Sequence, residues 1–587
     1  MACMNKTSQF TQTIAIFAII IAYYCFKIPQ FYPEVFGWYL TDSDDVQRVL
    51  QVRDWLAGQQ YYDLFNHRSN PPYGADMHWS RLSDIPLAVT ELMLRPFLGI
   101  ELAEKYGVLI TPIWLCLIFS FVVGKTARRF NNTNFTFYLA IALIYLSQVV
   151  QASFVPGRVD HHGLQLICLF MAIYGATINT KTGGIIAAIG IATGLTIGFE
   201  AIIFEIIICA FFAIIWAFEG EKRKAQLNGF AIGLAISILI GLIINVAPNK
   251  IMEGANDRLS IAQVVPILIG CFGLWICANF VKSNKILFKF IALIFVGITV
   301  IIVAFQFPVL FKKLYWQIDP NYYRLWMLDC PDTRPLITLP LYIQISYGLF
   351  CIFGVLVTII KTFVAYKAKD EGFVNWLLLT ILVVVGASLT FFFQARLMGQ
   401  ASALTILAIA PFIAGALEIS FKGLVLFTGV CILSFSPYNL GSFTKKINEN
   451  KDEKVSYGAQ FNCHSTSDFA HLAKMPKGLI AANLNLGSEA LINTHHNVLS
   501  TGFHRDLGRN LNYPIFLSDA KTAEVKIRQL GVNYVAYCER SLEVVRLMED
   551  APNGLMADII KGHPPSYLRL IPKMSNSEVT AFEVLPN

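Results

Sequence analysis

Long apolar runs separated by short polar connections fill the first three quarters of the chain. Runs long enough to cross a bilayer, roughly 17–25 residues each, fall at about 10–28, 107–124, 134–152, 163–179, 183–199, 201–218, 228–247, 264–282, 287–307, 341–364, 374–394, 400–418 and 422–436. The pattern predicts about thirteen transmembrane helices. The run over 183–218 is too long for one helix and divides at Gly198-Phe199-Glu200. Ile85–Gly99 is also apolar, but it is short and carries Glu91, Arg95 and Pro96, which predicts a helix lying in the membrane interface. From about Gly441 the pattern changes. Apolar stretches shorten to strand length at Gly478-Leu-Ile-Ala-Ala, Asn497-Val-Leu-Ser and Val532-Asn-Tyr-Val-Ala-Tyr, and residues 520–530 show helical spacing with Gly531 as a stop. Helix, glycine, then β-branched strand predicts a soluble α/β domain. The division expected is a membrane domain over 1–440, with outer loops at 29–84 and 308–340, and a soluble domain over 441–587.

Composition agrees with that division. Of 587 residues, 55% are hydrophobic and 14% charged, and mean hydropathy is +0.55. Soluble chains run near a quarter charged, so disorder, coiled coil and collagen are excluded. A net charge of +7, scattered along the chain, gives no footprint for nucleic acid. Short connections carry Lys125/Arg128/Arg129, Lys181, Lys222/Arg223/Lys224, Lys282/Lys285, Lys367/Lys369 and Lys422, all on one side of the alternation. The positive-inside rule makes that side cytoplasmic. The N-terminus is then expected inside, and the longer segments and the tail outside, in bacterial terms a periplasm facing the inner membrane. The first 26 residues resemble a signal peptide without a small-residue cleavage site and read as an anchor. Cys463 and Cys538 are the tail's cysteines. An oxidising compartment permits them to pair; two free buried thiols fit equally.

Candidate chemistry clusters at the outer helix ends, where charge is costly. Asp42, Asp44 and Asp45 follow the first helix. Their spacing suits a divalent ion or a phosphate-bound metal, and suits equally a solvated loop or an N-cap for a helix over 45–58. Pro156-Gly157-Arg158-Val159-Asp160-His161-His162-Gly163 sits between the third and fourth spans. Asp160 and His162 would diverge by roughly 200° in mid-helix, so joint ligation of Mn²⁺ or Mg²⁺ needs a loop or a helix start. The segment from Asp319 to Pro335, with Asp332 and Arg334, mixes acids, arginines and aromatics, which fits a recognition loop or an interfacial belt. Arg396, near the outer end of the eleventh span, needs an anion, and a phosphate is a natural bidentate partner; snorkelling is the other account. Glu200 and Glu205 fall at membrane depth, and His495-His496 and His504-Arg505-Asp506 are polar clusters of the tail.

The order of these features resembles that of GT-C membrane glycosyltransferases, in particular the single-subunit oligosaccharyltransferases of archaea and bacteria. Asp160-His161-His162 matches the archaeal form of the family's second acidic motif. Asp44-Asp45 with Val52-Arg53-Asp54-Trp55-Leu56-Ala57-Gly58 is similar to its first, and Pro71-Pro72-Tyr73-Gly74 through His78-Trp79 looks like its first outer loop. The resemblance implies a polyprenyl-(di)phosphate-linked sugar donor, a divalent metal and inversion at the anomeric carbon. It implies Asp44 as catalytic carboxylate and metal ligand, with Asp42 as fallback, Asp160 and His162 as metal ligands, and Arg396 at the donor phosphate. Arg158, standing in for an arginine the family places before the aspartate, joins Arg396 as a donor-phosphate contact. Asp332, Arg334, His78, His504 and Arg505 become candidates for contact with a glycan, lipid or protein acceptor. The family's Trp-Trp-Asp-Tyr-Gly acceptor motif is absent, and Asn483-Leu-Asn-Leu-Gly487 keeps only the glycine. That departure favours a non-protein acceptor. The competing function is a transporter or flippase of a lipid-linked substrate, but no internal repeat supports it.

Overall fold

The computed structural model describes residues 2–40, 42–283, 285–313, 316–327, 333–417, 463–539, 541–573 and 577–586. Among them, nine helices are long and apolar enough to cross a membrane, and three shorter apolar helices, Asn134–Leu146, His162–Ala176 and Lys181–Ile197, accompany them. The chain is a polytopic α-helical membrane protein carrying a C-terminal α/β sheet. The thirteenth expected span, 422–436, and the boundary expected near 440 lie outside the described residues. So does Asp332.

Three sequence expectations take a different local form. The first helix runs over Ala2–Phe36 and continues through Pro29 and Pro33. The third expected span ends at Leu146, where Ser147 turns extended (ψ 102°) and caps a short turn, Gln148–Gln151. Ile85–Ala127 joins the expected interfacial helix to the second span across Gly99, whose φ of 75° is a left-handed conformation that a side chain disfavours. Before that break, Leu92, Met93 and Phe97 are exposed, and Arg95 pairs with Glu91 one turn earlier at 3.4 Å.

Small residues set the helix packing. A Cβ on Gly184 would lie 2.1 Å from the Gln226 carbonyl, and one on Gly229 would lie 2.1 Å from the Lys181 carbonyl. Helices Lys181–Ile197 and Glu221–Asn245 therefore meet backbone to backbone, the packing that apolar solvent favours because lipid gives no hydrophobic drive between helices. The Glu200 break places the next helix, Ile202–Glu219, on the other side of the turn.

The tail forms a five-stranded sheet. Its strands are β3 (Leu479–Ala482), β4 (Asn497–Val498), β5 (Tyr534–Cys538), β6 (Leu568–Leu570) and β7 (Val579–Val584), after a two-stranded ribbon of β1 (Phe65–Asn66) and β2 (Ala75–Asp76) in the outer loop. The order is β4-β3-β5-β7-β6, with β4, β3 and β5 parallel and β7 and β6 antiparallel. All of β5 is buried, as a central strand covered by crossover helices must be. The helix expected over 520–530 is Ala520–Leu530, capped by Asp519 and ended by Gly531 at φ 67°. Cys463 and Cys538 form a disulfide.

This sheet rests on the first outer loop. Val46, Val49 and Leu50 share one apolar cluster with Leu486, Ala490 and Leu491. Arg68 donates to the carbonyls of Leu491, Thr494 and His496 at 2.6–2.9 Å, and the Asn70 N–H donates to the Val498 carbonyl at 2.9 Å. Buried Glu543 accepts from the Leu484 N–H at 2.9 Å and from Asn483 at 3.3 Å, and burial pushes its carboxyl up to about 7.

Two tests follow from the tail. The disulfide closes a 75-residue separation, so reduction is expected to cost about 2–4 kcal/mol. A thermal melt of the full-length protein with and without reductant checks this, and Cys538→Ala should abolish the reductant effect. Because the Glu543 carboxyl is raised on folding, the folded state holds its proton longer and stability should fall as pH rises from about 4.5 through 7, by roughly 3 kcal/mol at most. Melts across that range should flatten in Glu543→Gln.

Candidate functional site

The site begins with a helix cap. Asp42 is extended (φ −142°, ψ 147°), and its Oδ1 accepts from the Asp44 N–H at 3.1 Å, starting the helix Ser43–Leu56. The N-cap reading of the acidic run therefore holds, with the helix starting at Ser43 rather than at residue 45. Asp42 caps, as aspartate does at a helix N-terminus, and it also faces Arg158 at 3.1 Å. Asp45 lies one turn inside and is fully buried. Its Oδ2 meets Arg158 at 2.8 Å, and its Oδ1 accepts from the Val159 and Asp160 N–H groups at 2.8 and 2.9 Å.

The second cluster enters from the loop before helix His162–Ala176. Pro156 and Gly157 (φ 95°) turn the chain, and the helix starts at His162, so Asp160 precedes it and is freed from helical spacing. Asp160 Oδ2 lies 3.2 Å from His162 Nε2 and 3.6 Å from Arg158. Asp160 Oδ1 accepts from the His161 N–H at 2.6 Å and contacts His161 Nδ1. The other nitrogen of that ring, Nε2, meets Glu200 at 2.8 Å, and Glu200 also takes a bond from Gln165. Asp42, Asp45, Asp160, His161, His162 and Glu200, spread over 159 positions of sequence, therefore stand in one cluster around Arg158.

Electrostatics in this cluster are strained toward negative charge. Burial, with Asp42 and Asp160 nearby, raises Asp44 well above the usual carboxylate range, while His161 and Arg158 pull it back only in part. Burial pushes Asp45 up to about 7 against the pull of Arg158. Burial also lowers the basicity of His161, but Asp160 and Glu200 outweigh it and push the ring up to about 10. An imidazole held between two carboxylates is a cation rather than a ligand. Asp160, His161 and His162 bring their ligand atoms within 4.8 Å of one another, and of these Asp160 Oδ2 and His162 Nε2 are the pair suited to a metal. Asp160 Oδ2 is buried and makes no hydrogen bond. An oxygen–nitrogen donor pair beside crowded, reluctantly ionised carboxylates fits Mn²⁺ or Mg²⁺.

Arg158, expected as a phosphate contact, is instead engaged by Asp42, Asp45 and Asp160. Arg396 lies in the turn Ala395–Leu397. The Ala395 N–H donates to the Arg334 carbonyl at 2.8 Å, so the Arg334 and Arg396 candidates share one place, and Arg334 also reaches the Thr338 carbonyl at 3.4 Å. One turn on, Gly399 faces Ser153, on the loop that leads to Asp160.

His78, His504 and Arg505 form a second polar cluster with Asp257. His504 Nε2 meets Asp257 at 2.8 Å, and Arg505 bridges Asp257 and Asp76, the latter at 2.5 Å. Arg258 reaches Asp76 at 3.2 Å. The rings of His78 and His504 lie 4.4 Å apart, and burial, with His504 alongside, lowers His78 well below its ordinary range. The partners of His504 and Arg505 are thus internal carboxylates rather than an external anion. Trp79 links the two clusters, with its ring 5.7 Å from His161.

Several contributors escaped sequence reasoning. Arg48 lies under Trp79 at 5.0 Å, donates to Asp84 at 2.6 Å and approaches Asp160 at 3.9 Å; Arg81 completes the Asp84 pair at 3.1 Å. The signal was present, since Arg48 stands one helical turn after Asp44. Asp257, in a short interhelical connection, had no local signal.

No protein-family model and no curated protein sequence matches the chain. Solved structures do. The oligosaccharyltransferase AglB of Archaeoglobus fulgidus, in complex with an inhibitory peptide and a dolichol-phosphate, matches with TM-score 0.65 at 12% identity, over 94% of this chain and 72% of that one. The Archaeoglobus fulgidus oligosaccharyltransferase tethered to an acceptor peptide containing the NVT sequon matches with TM-score 0.63 at 12% identity, over 97% and 74%. Its complex with Zn and sulfate matches with TM-score 0.60 at 12% identity, over the same shares. At such low identity the likeness is one of fold.

Proposed function

We propose that the chain is a membrane glycosyltransferase that moves a sugar or oligosaccharide from a polyprenyl-(di)phosphate donor to an acceptor outside the cytoplasm. One observation carries this reading. The acids that follow the first helix and the Asp160-His161-His162 triplet, more than a hundred residues apart, meet around Arg158 on a fold shared with oligosaccharyltransferases. The neighbour bound to dolichol-phosphate supports a lipid-linked donor, and the one bound to Zn and sulfate supports a divalent metal. We place the cluster on the outer face of a cytoplasmic membrane and the N-terminus inside, with a soluble domain over 441–587.

The residues divide the work by geometry. Detaching a glycosyl group from phosphate builds negative charge on the leaving oxygen and positive charge on the anomeric carbon. A bound Mn²⁺ or Mg²⁺ would supply Lewis-acid stabilisation of leaving-group charge, and Asp160 and His162 would hold it. Arg396 offers a guanidinium to the phosphate. Asp44, half-buried and crowded by Asp42 and Asp160, is the carboxylate left to orient and deprotonate the acceptor, because Asp45 is spent on Arg158 and two backbone N–H groups. Placing the base and the leaving group on opposite faces of the sugar gives inversion. A non-protein acceptor fits the tail, since Asn483, Leu484 and Leu486 are fully buried and a Cβ on Gly487 would lie 2.1 Å from the Ser500 carbonyl. That stretch has no open face with which to read a peptide.

Asp44→Asn should cut transfer by about 10²–10⁴-fold with an unchanged or raised thermal midpoint, because the amide relieves carboxylate crowding. Asp45→Ala should behave in the opposite way in stability, costing about 1–3 kcal/mol by leaving the buried Val159 and Asp160 N–H groups unpaired and removing one of Arg158's three carboxylates. Transfer from polyprenyl-linked glycans extracted from the source membrane, measured on the full-length protein, checks the first; melts check both. Chelation should abolish transfer and Mn²⁺ or Mg²⁺ should restore it, with Asp160→Asn requiring more metal. Full transfer by folded Asp44→Asn and Asp42→Asn proteins would overturn the assignment. Lipid-linked glycan crossing vesicles without transfer would establish the flippase reading instead.

A further inference from the structure

Away from the acidic cluster, a cavity of about 680 Å³ opens between the β1–β2 ribbon, the 253–258 connection, the side chains of Val309, Trp316 and Gln317, and residues 505–511 of the tail. Its size falls within the roughly 300–1,000 Å³ of small-molecule sites. Of the three aromatic rings in its lining, Phe65, Tyr73 and Trp316, the last two are exposed. Tyr73, in the loop joining the ribbon strands, is 73% exposed, and Trp316 is 48% exposed. Lys312 Nζ sits 3.8 Å from the Trp316 ring centroid, which steadies the indole by a cation–π contact. Large aromatic rings left in water at a cavity are available to stack on an apolar ligand face.

The polar lining is of a particular kind. Asp76 and Arg505 pair at 2.5 Å, and Arg258 completes the pair on the other Asp76 oxygen at 3.2 Å. Glu253 adds a second carboxylate, and Asn70, Asn256 and Asn510 add amides. Carboxylates and guanidiniums balance within the lining, so a phosphate or other anion gains no net attraction there. What such a lining does offer is many fixed donors and acceptors beside flat aromatic surfaces. A pyranose ring carries both complements: hydroxyl groups around its edge and a patch of C–H bonds on its face. Substrate-sized apolar molecules would leave the buried amides and ion pairs without partners, at a cost of desolvation.

We propose that this cavity is a carbohydrate subsite that takes a short, uncharged oligosaccharide, with Tyr73 and Trp316 as stacking platforms and Asp76, Arg505 and Arg258 as the hydroxyl-binding wall. The transferase reading bears only on where that saccharide comes from. Arg505 joins the wall to Asp257 and His504, and the His78 and Trp79 rings continue from His504 to His161. The cavity wall and the acidic cluster are thus joined by one run of packed side chains. The source is either the distal part of the lipid-linked donor or a saccharide acceptor.

The test uses the full-length protein in detergent and, as probe, the oligosaccharide released by mild acid from the polyprenyl-linked pool of the source membrane. Saturation-transfer NMR should report binding to the wild type, weakened at least tenfold in Tyr73→Ala and Trp316→Ala, and inorganic diphosphate should not compete. Equal binding by wild type and both variants, or displacement by diphosphate, overturns the proposal; so does wild-type protein that binds no glycan. Transfer kinetics then locate the source. A tenfold collapse in the preference for a full-length donor glycan over a single-sugar donor assigns the cavity to the donor, and a tenfold rise in KM for a saccharide acceptor assigns it to the acceptor. Binding lost in the variants while the wild type shows no transfer at all would sink the transferase reading and leave the subsite standing.

Discussion

The Arg158 guanidinium is the centre on which the candidate site depends. Asp42, Asp45 and Asp160 all lie within 3.6 Å of it, and they come from two segments that would otherwise repel each other. Without a cation among them, three carboxylates in a water-poor place would separate or protonate. With it, the start of one helix is fixed against the start of another. Asp45 does most of the fixing, since it also takes two backbone N–H groups of the 159–160 turn. Asp44, its neighbour, has no such duty. Which of the two adjacent acids builds the site is thus set by which side chain faces the arginine.

Much of this was legible in the sequence, for reasons that can be named. Apolar runs of bilayer length announce themselves because backbone groups in lipid must be satisfied within a helix, and the tail's strands and the helix before Gly531 follow from period and punctuation. Asp44, Asp160 and His162 stood out because charge at outer helix ends needs an explanation. The reading of Asp160 with His162 also carried its own condition, a helix start, and the helix does begin at His162. What could not be read was direction. Arg158 and Arg396 are both arginines at outer ends, yet only the fold shows that the first faces carboxylates. Nothing local sets Asp257 opposite Arg505 across nearly 250 positions, and nothing local says that His161 spends both ring nitrogens on Asp160 and Glu200 while His162 keeps one near Asp160 alone.

The first outer loop explains how a site at a helix end keeps its shape. A loop of some fifty residues outside a bilayer would ordinarily be free to move. Here it is held from both sides. Arg48 and Arg81 converge on buried Asp84, which ties the capped helix to the start of Ile85–Ala127. On the far side, Arg68 caps the end of the tail helix Leu484–Asn493 by bonding its last carbonyls, as a cation suits a helix C-terminus. The C-terminal sheet is therefore part of the scaffold that positions Asp44, and its stability and that of the site are linked.

Charge separates the two polar regions. Around Arg158 the carboxylates are crowded, burial raises Asp44 and Asp45, and a cationic partner lowers their energy. Around Arg505 the opposite holds: burial is outweighed by His504 and Arg505, which keep Asp257 far below the ordinary aspartate range, so that its charge is matched and stays. A matched network has no appetite for ions but keeps its hydrogen-bonding edges, and that is the property a neutral polyol can use. An unmatched one favours a cation. Joined by the Trp79, His78 and His504 rings, the two settings would suit the two ends of a glycan carried on a phosphate, which is why we propose sugar rings in the balanced cavity and the bond to be broken beside the unbalanced acids.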